Sequence, residues 1–376
     1  MPFFRVKYPY LQSIETGEMM KYVVLLSNGI DSAVSAHLLK AAGHTVIGLH
    51  FVMVGANRIS VEKQRIGRSL MTQEALEAER HASELKLDDF LCLDVSEDFE
   101  TTIIRYFLDS YRHGITPNPC IRCNRLFKFG KAVELAKSLG ADKLSTGHYI
   151  RCVFAPRYAA TVLMRGSDLS KDQSYFLSSV EKQHLPLLHF PLGSMRKQQV
   201  REIAQKLGFS FAQKKDSQEI CFVPDNDYPR FLTAREVYAN PGEIFDHNGV
   251  CVGRHSGYQH YTIGQRTKMQ FSRALTERLF IYKIDAAANR LFVAPYDHVL
   301  KKTAAITETN WFVPLEEREY RCLIRKKAGE ETVRVSELGN GRYRLSFRRE
   351  VFAVTPGQYA VLYDEEGVVV GSGVIE

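Results

Sequence analysis

Apolar and polar residues follow one another in blocks over the first part of the chain, as they do in strand–helix–strand folds. An apolar strand is predicted at 22–26, and a polar turn at 27–29 separates it from a helix at 31–42 and a second apolar strand at 45–50. The same alternation then predicts helices at 74–85, 99–112 and 124–139 and strands at 90–95 and 143–146. We therefore expect an α/β domain with a doubly wound parallel sheet, whose ligands bind beyond the carboxyl ends of the strands.

From about residue 230 the pattern changes to short β-type runs broken by glycine-containing turns, with little helical periodicity apart from a stretch near 270–280. Apolar and polar positions alternate at 343–347, and further strands are predicted at 359–363 and 368–375. The pattern predicts one or two small β-barrels made of antiparallel strands.

The composition is that of a folded globular protein, because the 376 residues are 45% hydrophobic and 25% charged. No stretch has the roughly 18 consecutive apolar residues of a membrane-spanning helix, and residues 1–20 lack the apolar core of a signal peptide. We expect a cytoplasmic protein that does not enter a membrane. Its seven scattered cysteines do not suggest a disulfide framework, so a functional cysteine is expected to be catalytic or metal-binding. The net charge of +7 favours a polyanionic partner.

The turn at 27–32, with the sequence SNGIDS, lies between a predicted strand and the start of a helix. Backbone N–H groups and the positive end of the helix dipole converge at such a point, which makes it a candidate phosphate site. A capped helix with no ligand is the alternative interpretation, because serine and aspartate are also ordinary residues before a helix.

Two thiols, Cys120 and Cys123, lie three residues apart in a segment stiffened by Pro117 and Pro119, just before a predicted helix. A third thiol, Cys221, follows a polar and charged run whose lysines favour a thiolate. The alternative is that these are small buried residues. A structural role is predicted for the remaining cysteines, which lie in apolar or strand-like runs: Cys92, Cys152, Cys251 and Cys322.

Taken together, several ordered segments resemble the tRNA-specific 2-thiouridylases, a family that thiolates uridine 34, the wobble base of certain tRNAs. The segments that carry the resemblance are SNGIDS at 27–32, TPNP at 116–119 with Cys123 and Asn124, STGHY at 145–149, KDQSYFL at 171–177, DSQEICF at 216–222, YTIGQR at 261–266 and AVTPGQ at 353–358. They cover nearly the whole chain after residue 20.

The resemblance implies a fold and a set of domain boundaries. A tail at 1–20 precedes an N-type ATP pyrophosphatase domain at 21–222, similar to the adenine nucleotide α-hydrolases. A central β-rich domain at 223–298 and a C-terminal β-barrel at 299–376 would then help to hold tRNA.

The resemblance also implies a two-step chemistry, in which ATP, bound with Mg²⁺, adenylates uracil O2 with release of pyrophosphate and sulfur then displaces AMP. Cys221 matches the cysteine that receives sulfur as a persulfide, and Cys123 matches the one that assists its release and leaves a disulfide. The residues matched to ATP binding are Ser27, Gly29, Asp31, Ser32, Met53, Gly147 and His148. The candidates for tRNA binding near the target base are Lys128, Lys171, Gln173, Tyr175 and Arg266.

Basic residues are dense in the C-terminal segment, with Tyr343 and Phe347 between them, and could track a tRNA backbone. The alternative is a solvated strand face. These basic residues are Arg321, Arg325, Lys326, Lys327, Arg334, Arg342, Arg344, Arg348 and Arg349.

Three positions depart from the family pattern. Cys120 stands where most familiar members have an aspartate with an acid or base role. With Cys123 and Cys221 it forms a set that could hold three corners of a [4Fe–4S] cluster, whose open iron would bind sulfide, so a cluster route and a persulfide route are both open. Asn28 replaces the first glycine of the loop, where we expect a left-handed backbone. Residues 267–270 also differ from the usual sequence.

Alternatives remain at this stage for the function. They are another synthetase or amidotransferase of the ATP pyrophosphatase class, a thiolase acting on a different nucleoside of tRNA, and a catalytically silent tRNA-binding paralogue. For the main hypothesis we expect a monomer that receives sulfur from a donor protein or a sulfide source. The sequence leaves open which donor and which tRNAs these are.

Overall fold

A computed structural model of the chain describes residues 18–54, 58–63, 67–209, 220–267, 269–272, 277–326 and 328–376. The chain divides into two compact units. The first comprises Met1–Glu100, Ile121–Gln218 and Gly367–Val369, and the second comprises Thr101–Cys120, Glu219–Glu366 and Val370–Glu376.

The strands of the first unit are β1 Lys21–Leu25, β2 Thr45–Val52, β3 Arg58–Lys63, β4 Gly67–Thr72, β5 Asp89–Asp94, β6 Lys143–Ser145, β7 Ile150–Ala155, β8 Ala160–Arg165 and β9 Leu188–His189. The α-helices along the first two thirds of the chain are α1 Ile30–Ala41, α2 Gln73–Glu84, α3 Ser96–Phe99, α4 Arg105–Arg112, α5 Pro119–Cys123, α6 Ala132–Ser138, α7 Ser174–Leu177, α8 Lys197–Lys206 and α9 Tyr228–Ala234. Glu100–Ile104 and Asn124–Lys131 are π-helical, and Pro156–Tyr158, Lys182–Leu187 and Pro224–Asn226 are 3₁₀-helical.

The centre of the first unit is a five-stranded sheet in the order β5-β2-β1-β6-β9, with all neighbouring strands parallel. β1 lies in the middle, and its Tyr22, Val23 and Val24 are buried. A strand that is covered on both faces reads as a continuous apolar run, which explains the sequence pattern at 22–26. The predicted doubly wound sheet is confirmed, and the crevice where its strand order reverses lies between β1 and β6.

Helix α1 joins β1 and β2 and packs in a buried hydrophobic cluster of this unit. Val34 and Leu38 of α1 belong to this cluster together with Val24 of β1 and with Val200 and Ile203 of α8. The packing fixes the position of the first turn of α1 relative to the carboxyl end of β1.

The second unit is β-rich, as predicted. Its further elements are β10 Gly242–Asp246, β11 Cys251–His255, a 3₁₀ turn Tyr258–His260, β12 Gln270–Phe271, β13 Phe280–Asp285, β14 Arg290–Ala294, α10 Tyr296–Val299, β15 Leu300–Trp311, β16 Glu319–Leu323, β17 Glu331–Gly339, β18 Arg342–Phe352, β19 Tyr359–Tyr363 and β20 Val369–Ile375. The first five strands form a sheet in the order β12-β11-β10-β14-β13, and the last six close a barrel in the order β15-β18-β17-β16-β19-β20.

The stretch near 270–280 contains no helix in the part that is described, since β12 and the start of β13 occupy it and residues 273–276 lie outside the described residues. The domain boundaries at 222 and 298 remain predictions. As far as the structure describes the chain, no helix is both long enough and apolar enough to span a bilayer.

An aromatic cluster anchors the backbone next to Cys221. The ring of Phe222 lies edge-on to Phe107 of α4, with 5.3 Å between centroids, and 5.6 Å from Phe231 of α9. Phe107 is fully buried and also contacts Tyr111, at 4.9 Å. The exposed thiol of Cys221 is therefore attached to a residue that packs in the interior of the second unit.

We expect Phe107→Ala to lower the free energy of unfolding of the second unit by about 3–5 kcal/mol, because the substitution leaves a cavity among three aromatic rings. Urea denaturation with hydrogen exchange of the peptide at 220–235 measures the effect. Leu338→Ala, at a position with 41% of its side chain exposed, is the control and should change stability by about 0.5 kcal/mol or less. Equal effects of the two substitutions would contradict the role given to this cluster.

Candidate active site

The segment Ser27 to Ser32 leaves the carboxyl end of β1 and enters α1. The hydroxyl of Ser32 is buried and lies 2.9 Å from the carbonyl oxygen of Ser27 and 3.1 Å from that of Gly29. The N–H of Ser27 donates to the same hydroxyl over 3.1 Å. Ser32 thus closes the turn internally, while Ser27 is exposed and its hydroxyl lies 3.1 Å from that of Ser32.

The N-cap residue of helix α1 is Gly29, so no side chain caps the start of the helix. The first N–H groups of a helix have no acceptor within the helix, so here they and the helix dipole are directed to the end of the crevice. Gly29 is extended, with φ −109° and ψ 154°, and Asn28 is not among the residues with positive φ. The expectation of a left-handed backbone at Asn28 is therefore wrong, because the turn closes through Ser32 instead.

Asn28, which replaces a glycine of the family pattern, connects the turn to α2. Its side-chain nitrogen donates to the carbonyl oxygen of Glu74 over 3.1 Å. Its side-chain oxygen is buried and has no hydrogen-bond partner among the residues that the structure describes. The side chain of Asn28 thus links this turn to the first turn of α2, a contact that a glycine could not make.

Gly147 brings the end of β6 against the same turn. A Cβ atom at this position would lie 2.6 Å from both the carbonyl carbon of Asp31 and the nitrogen of Ser32. In addition, the hydroxyl of Ser35 on α1 donates to the carbonyl oxygen of Thr146 over 3.2 Å. Only glycine allows this approach, and it places two of the predicted nucleotide segments side by side.

His148 is held next to Gly147 with a neutral imidazole. Its Nδ1 lies 2.8 Å from the hydroxyl of Thr146, and its ring lies 5.7 Å from that of Phe129. Desolvation and, second, the positive charge of Lys128 lower the pKa of His148 well below its ordinary value. The ring is therefore uncharged at neutral pH. Lys128, predicted from the sequence as a tRNA contact, lies near enough to His148 to act on its charge.

Asp31 has two hydrogen-bond partners that are not evident from the sequence, Lys197 and Tyr149. The ammonium of Lys197 lies 2.8 Å from both carboxylate oxygens, and the hydroxyl of Tyr149 donates to one of them over 2.8 Å. The Lys197 side chain is only 7% exposed, against 31% for Asp31. Lys197 is the first residue of α8, where the helix dipole opposes a cation, so the Asp31 carboxylate offsets an unfavourable position. No sequence pattern signals a buried lysine at this place.

The other residues predicted near the nucleotide or the RNA are distributed as follows. Met53 is half-buried just after β2. Gln173 accepts the N–H of Tyr149 over 2.9 Å, so it fixes the backbone after His148. Tyr175 is fully buried, and this burial is incompatible with a direct contact to RNA. Lys171 is half-buried in the first unit, and Arg266 is exposed in the second.

The three cysteines singled out from the sequence differ in exposure: Cys123 is buried, Cys120 is half-buried and Cys221 is exposed. Cys123 belongs to the first unit, and the other two belong to the second. Within the described residues, no group of three or more histidine, cysteine, aspartate and glutamate side chains is placed to hold a metal ion. Thiols are suitable donors for iron by type.

Of the remaining cysteines, two have thiols that do not ionise at neutral pH. Burial raises the pKa of Cys152 to about 12 and raises the pKa of the fully buried Cys322 as well. Cys92 and Cys251 lie in strands, as expected, but they are exposed.

Much of the positive charge of the barrel is paired with glutamates. Arg348 and Arg334 lie 3.0 and 3.7 Å from Glu319, and Arg349 lies 3.0 Å from Glu331. Further pairs join Arg321 to Glu330 and Arg342 to Glu376. Phe347 is buried and is not available for stacking on a base, and Lys327 lies outside the described residues.

These features define a class of protein. A parallel sheet with an uncapped helix start at its reversal point, and with a neutral histidine and a buried lysine beside it, is typical of an α/β nucleotide-type domain. The chain adds β-rich parts to this domain. Residues 20–225 match the family described as "tRNA methyl transferase HUP domain", residues 230–295 match its PRC-barrel domain, and residues 301–375 match "Aminomethyltransferase beta-barrel domain".

Similar proteins of known name identify the family within this class. The tRNA-specific 2-thiouridylase MnmA of Petrotoga mobilis is 46% identical over 94% of this chain and 97% of that protein. The proteins of the same name from Geotalea uraniireducens and Thermotoga neapolitana are 37% and 34% identical over 96% and 94% of this chain and 96% and 98% of their own. The chain belongs to the tRNA-specific 2-thiouridylase MnmA family, as its motifs indicated.

We expect Lys197→Met to lower the free energy of unfolding of the first unit by about 2 kcal/mol, because the Asp31 carboxylate loses its charge partner and is itself partly exposed. The double variant Asp31→Asn with Lys197→Met should recover at least half of this loss, since no uncompensated charge remains. Urea denaturation of the variants measures the coupling. Additive losses in the double variant would show that the ion pair is not a stabilising unit.

Proposed function

We propose that the protein is an ATP-dependent sulfurtransferase that converts uridine 34 of tRNA to 2-thiouridine. The observation that carries the proposal is the turn Ser27 to Ser32 at the reversal point of the sheet, with Gly147 packed against it and the uncapped start of α1 facing the crevice. A triphosphate matches the N–H donors and the dipole of this turn. Membership of the 2-thiouridylase family supplies the second substrate.

The first step activates a poor leaving group. Uracil O2 attacks the α-phosphorus of ATP, the bond to the β,γ-phosphates breaks, and pyrophosphate departs while the N3 proton goes to a base. The N–H groups at Gly29 and the hydroxyl of Ser27 would hold the phosphates, and Met53, Gly147 and His148 would line the nucleoside side. A neutral His148 adds no charge at this point.

Lys197 gives this step a cation that the sequence pattern did not reveal. When a triphosphate occupies the turn, its charge competes with Asp31 for the Lys197 ammonium, which then stabilises the departing pyrophosphate. Mg²⁺ would arrive with the phosphates, and Asp31 is the carboxylate of the turn that would face it. In the structure the two groups are paired to each other.

The second step uses the cysteines. A donor protein delivers sulfur to Cys221 as a persulfide, whose terminal sulfur attacks C2 of the activated uracil and displaces AMP. The thiolate of Cys123 then attacks Sγ of Cys221, and the bond between this Sγ and the transferred sulfur breaks. 2-Thiouridine is released, and a Cys123–Cys221 disulfide remains on the enzyme. An external dithiol supplies the two electrons that reset the enzyme. The exposure of Cys221 suits it to meet a donor protein.

Recognition of tRNA is assigned to residues of both units. Lys128, Lys171 and Gln173 are proposed near the target base, and Arg266 is proposed on the β-rich side. Tyr175 supports its neighbours from the interior. The target uridine must leave its stack to expose C2, so the site requires a pocket for a flipped base.

Cys120 favours a second candidate mechanism. It replaces an aspartate of the family and stands three residues before Cys123, so a [4Fe–4S] cluster on Cys120, Cys123 and Cys221 could bind sulfide at its open iron. We derive no step through a cluster.

The proposed function predicts that Asp31→Ala and Cys221→Ala separate the two steps. Asp31→Ala should abolish the release of pyrophosphate while tRNA binding stays within a few fold, because the substitution disrupts the turn and its lysine. Cys221→Ala should still release pyrophosphate but form no 2-thiouridine. Pyrophosphate release, filter binding of tRNA and mass spectrometry of the product nucleosides measure the three quantities.

The results of these measurements also distinguish the proposed function from the alternative functions. Full thiolation by Cys221→Ala would exclude its sulfur role, and a thiolated nucleoside other than 2-thiouridine would indicate a different tRNA thiolase. Product formation without any cysteine dependence would favour a synthetase of the same class. Binding of tRNA by the wild type without ATP cleavage would identify a silent paralogue.

We expect anaerobically purified protein to be colourless and free of iron and acid-labile sulfide, and still to thiolate tRNA. The reason is that the exposed thiol of Cys221 suits the persulfide route, which needs no iron. Iron that is bound by the wild type and by Cys251→Ala, an exposed control cysteine, but lost in Cys120→Ala would instead establish the cluster route.

A further inference from the structure

Two loops of the second unit contact each other closely. We name residues 114–119, which precede Cys120, the cysteine loop, and residues 353–358, between β18 and β19, the barrel loop. The side-chain nitrogen of Gln358 lies 2.9 Å from the carbonyl oxygen of Thr116 and 3.2 Å from that of Pro117, and donates to both. In the reverse direction, the N–H of Thr116 donates to the carbonyl oxygen of Pro356 over 3.2 Å.

The fit between these loops leaves no room for a side chain at Gly357. This residue has φ +87°, and a Cβ atom there would lie 2.2 Å from Cγ2 of Ile115 and 2.9 Å from the carbonyl oxygen of Thr116. The barrel loop is itself anchored to the last strand, because Gly357 donates to the carbonyl of Ile375 over 2.9 Å and Ile375 donates back to Gln358 over 2.8 Å. The position of the cysteine loop is thus set by the closed barrel.

The central sheet holds the cysteine loop as well. The hydroxyl of Thr116 lies 3.3 Å from that of Thr262, and a Cβ atom at Gly114 would lie 2.8 Å from Ile284. The guanidinium of Arg325 joins the central and barrel parts, since one nitrogen donates to the carbonyl oxygens of Ile263 and Ala353 and to the hydroxyl of Thr355. Gln358 therefore belongs to a connected network of polar groups around the cysteine loop.

We propose that Gln358 is a positioning residue that holds the cysteine loop for sulfur transfer, so that the C-terminal barrel contributes to the second chemical step. Two carbonyl oxygens of the loop share one amide donor group, and its loss leaves them without the contact that fixes the peptide units before Cys120. The inference rests on the proposed function. Misplacement of reacting groups by about 1 Å reduces rates on the order of a hundredfold, so the effect on sulfur transfer should be large.

The test replaces Gln358 by Met, which keeps the length of the side chain and removes its donors. Single-turnover formation of 2-thiouridine should fall at least about tenfold. Pyrophosphate release and the Kd for tRNA should stay within about twofold, so more pyrophosphate is released per thiolated product. Hydrogen exchange of the peptide at 113–120 and the alkylation rate of Cys120 should both rise. These last two measurements need neither ATP nor tRNA.

Gln205→Met, on an exposed part of α8, is the matched control and should leave all five quantities unchanged. If Gln358→Met folds poorly, Gln358→Glu takes its place, because glutamate has the same shape as glutamine but no amide donor. It should give the changes expected for Gln358→Met. A loss of tRNA affinity with unchanged exchange at 113–120 would identify Gln358 as an RNA contact and overturn the proposal. Faster exchange with unchanged thiolation would overturn it too. A wild-type protein that forms no 2-thiouridine would instead refute the proposed function.

Discussion

The close approach of Gly147 to the first turn of α1 is the constraint on which the first unit depends. The end of β6 and the end of β1 meet at this point, and the space between Gly147 and the backbone of Asp31 and Ser32 excludes even a methyl group. Because the strand order reverses between these two strands, the crevice of the sheet opens here. The turn, the uncapped helix start and His148 are brought together by this one contact.

The pair of Asp31 and Lys197 shows how a nearly buried charge is balanced inside the first unit. A nearly buried ammonium at a helix N-terminus is unfavourable unless a carboxylate neutralises it. Both oxygens of Asp31 do so, and Tyr149 completes the arrangement.

The second unit distributes its charge differently. Arginines on the outside of the barrel pair with neighbouring glutamates, and such exposed pairs are weak individually. Arg325, in contrast, donates to three acceptors inside the unit and ties the central sheet to the barrel. Of the basic residues in this segment, those in exposed pairs are held only weakly, whereas Arg325 has a structural role.

The sequence by itself determined the order of elements, the parallel sheet, the β-rich second half and the family. These features depend on hydrophobic periodicity and on short segments such as 27–32 and 353–358, which are local along the chain. Helix and strand limits were also predicted within a few residues, as for α1 at Ile30–Ala41 against 31–42.

Tertiary structure alone decided which distant side chains share a site. Lys197 lies 166 residues from Asp31, and Gln358 lies 242 residues from Thr116, so no local pattern links either pair. The same holds for Tyr175 and Phe347, which look accessible in sequence but are buried by the packing of other elements. The left-handed backbone expected at Asn28 is absent for a related reason, because the buried hydroxyl of Ser32 closes the turn. Burial and charge pairing depend on the surroundings of a residue in three dimensions. The order of residues along the chain does not show these surroundings.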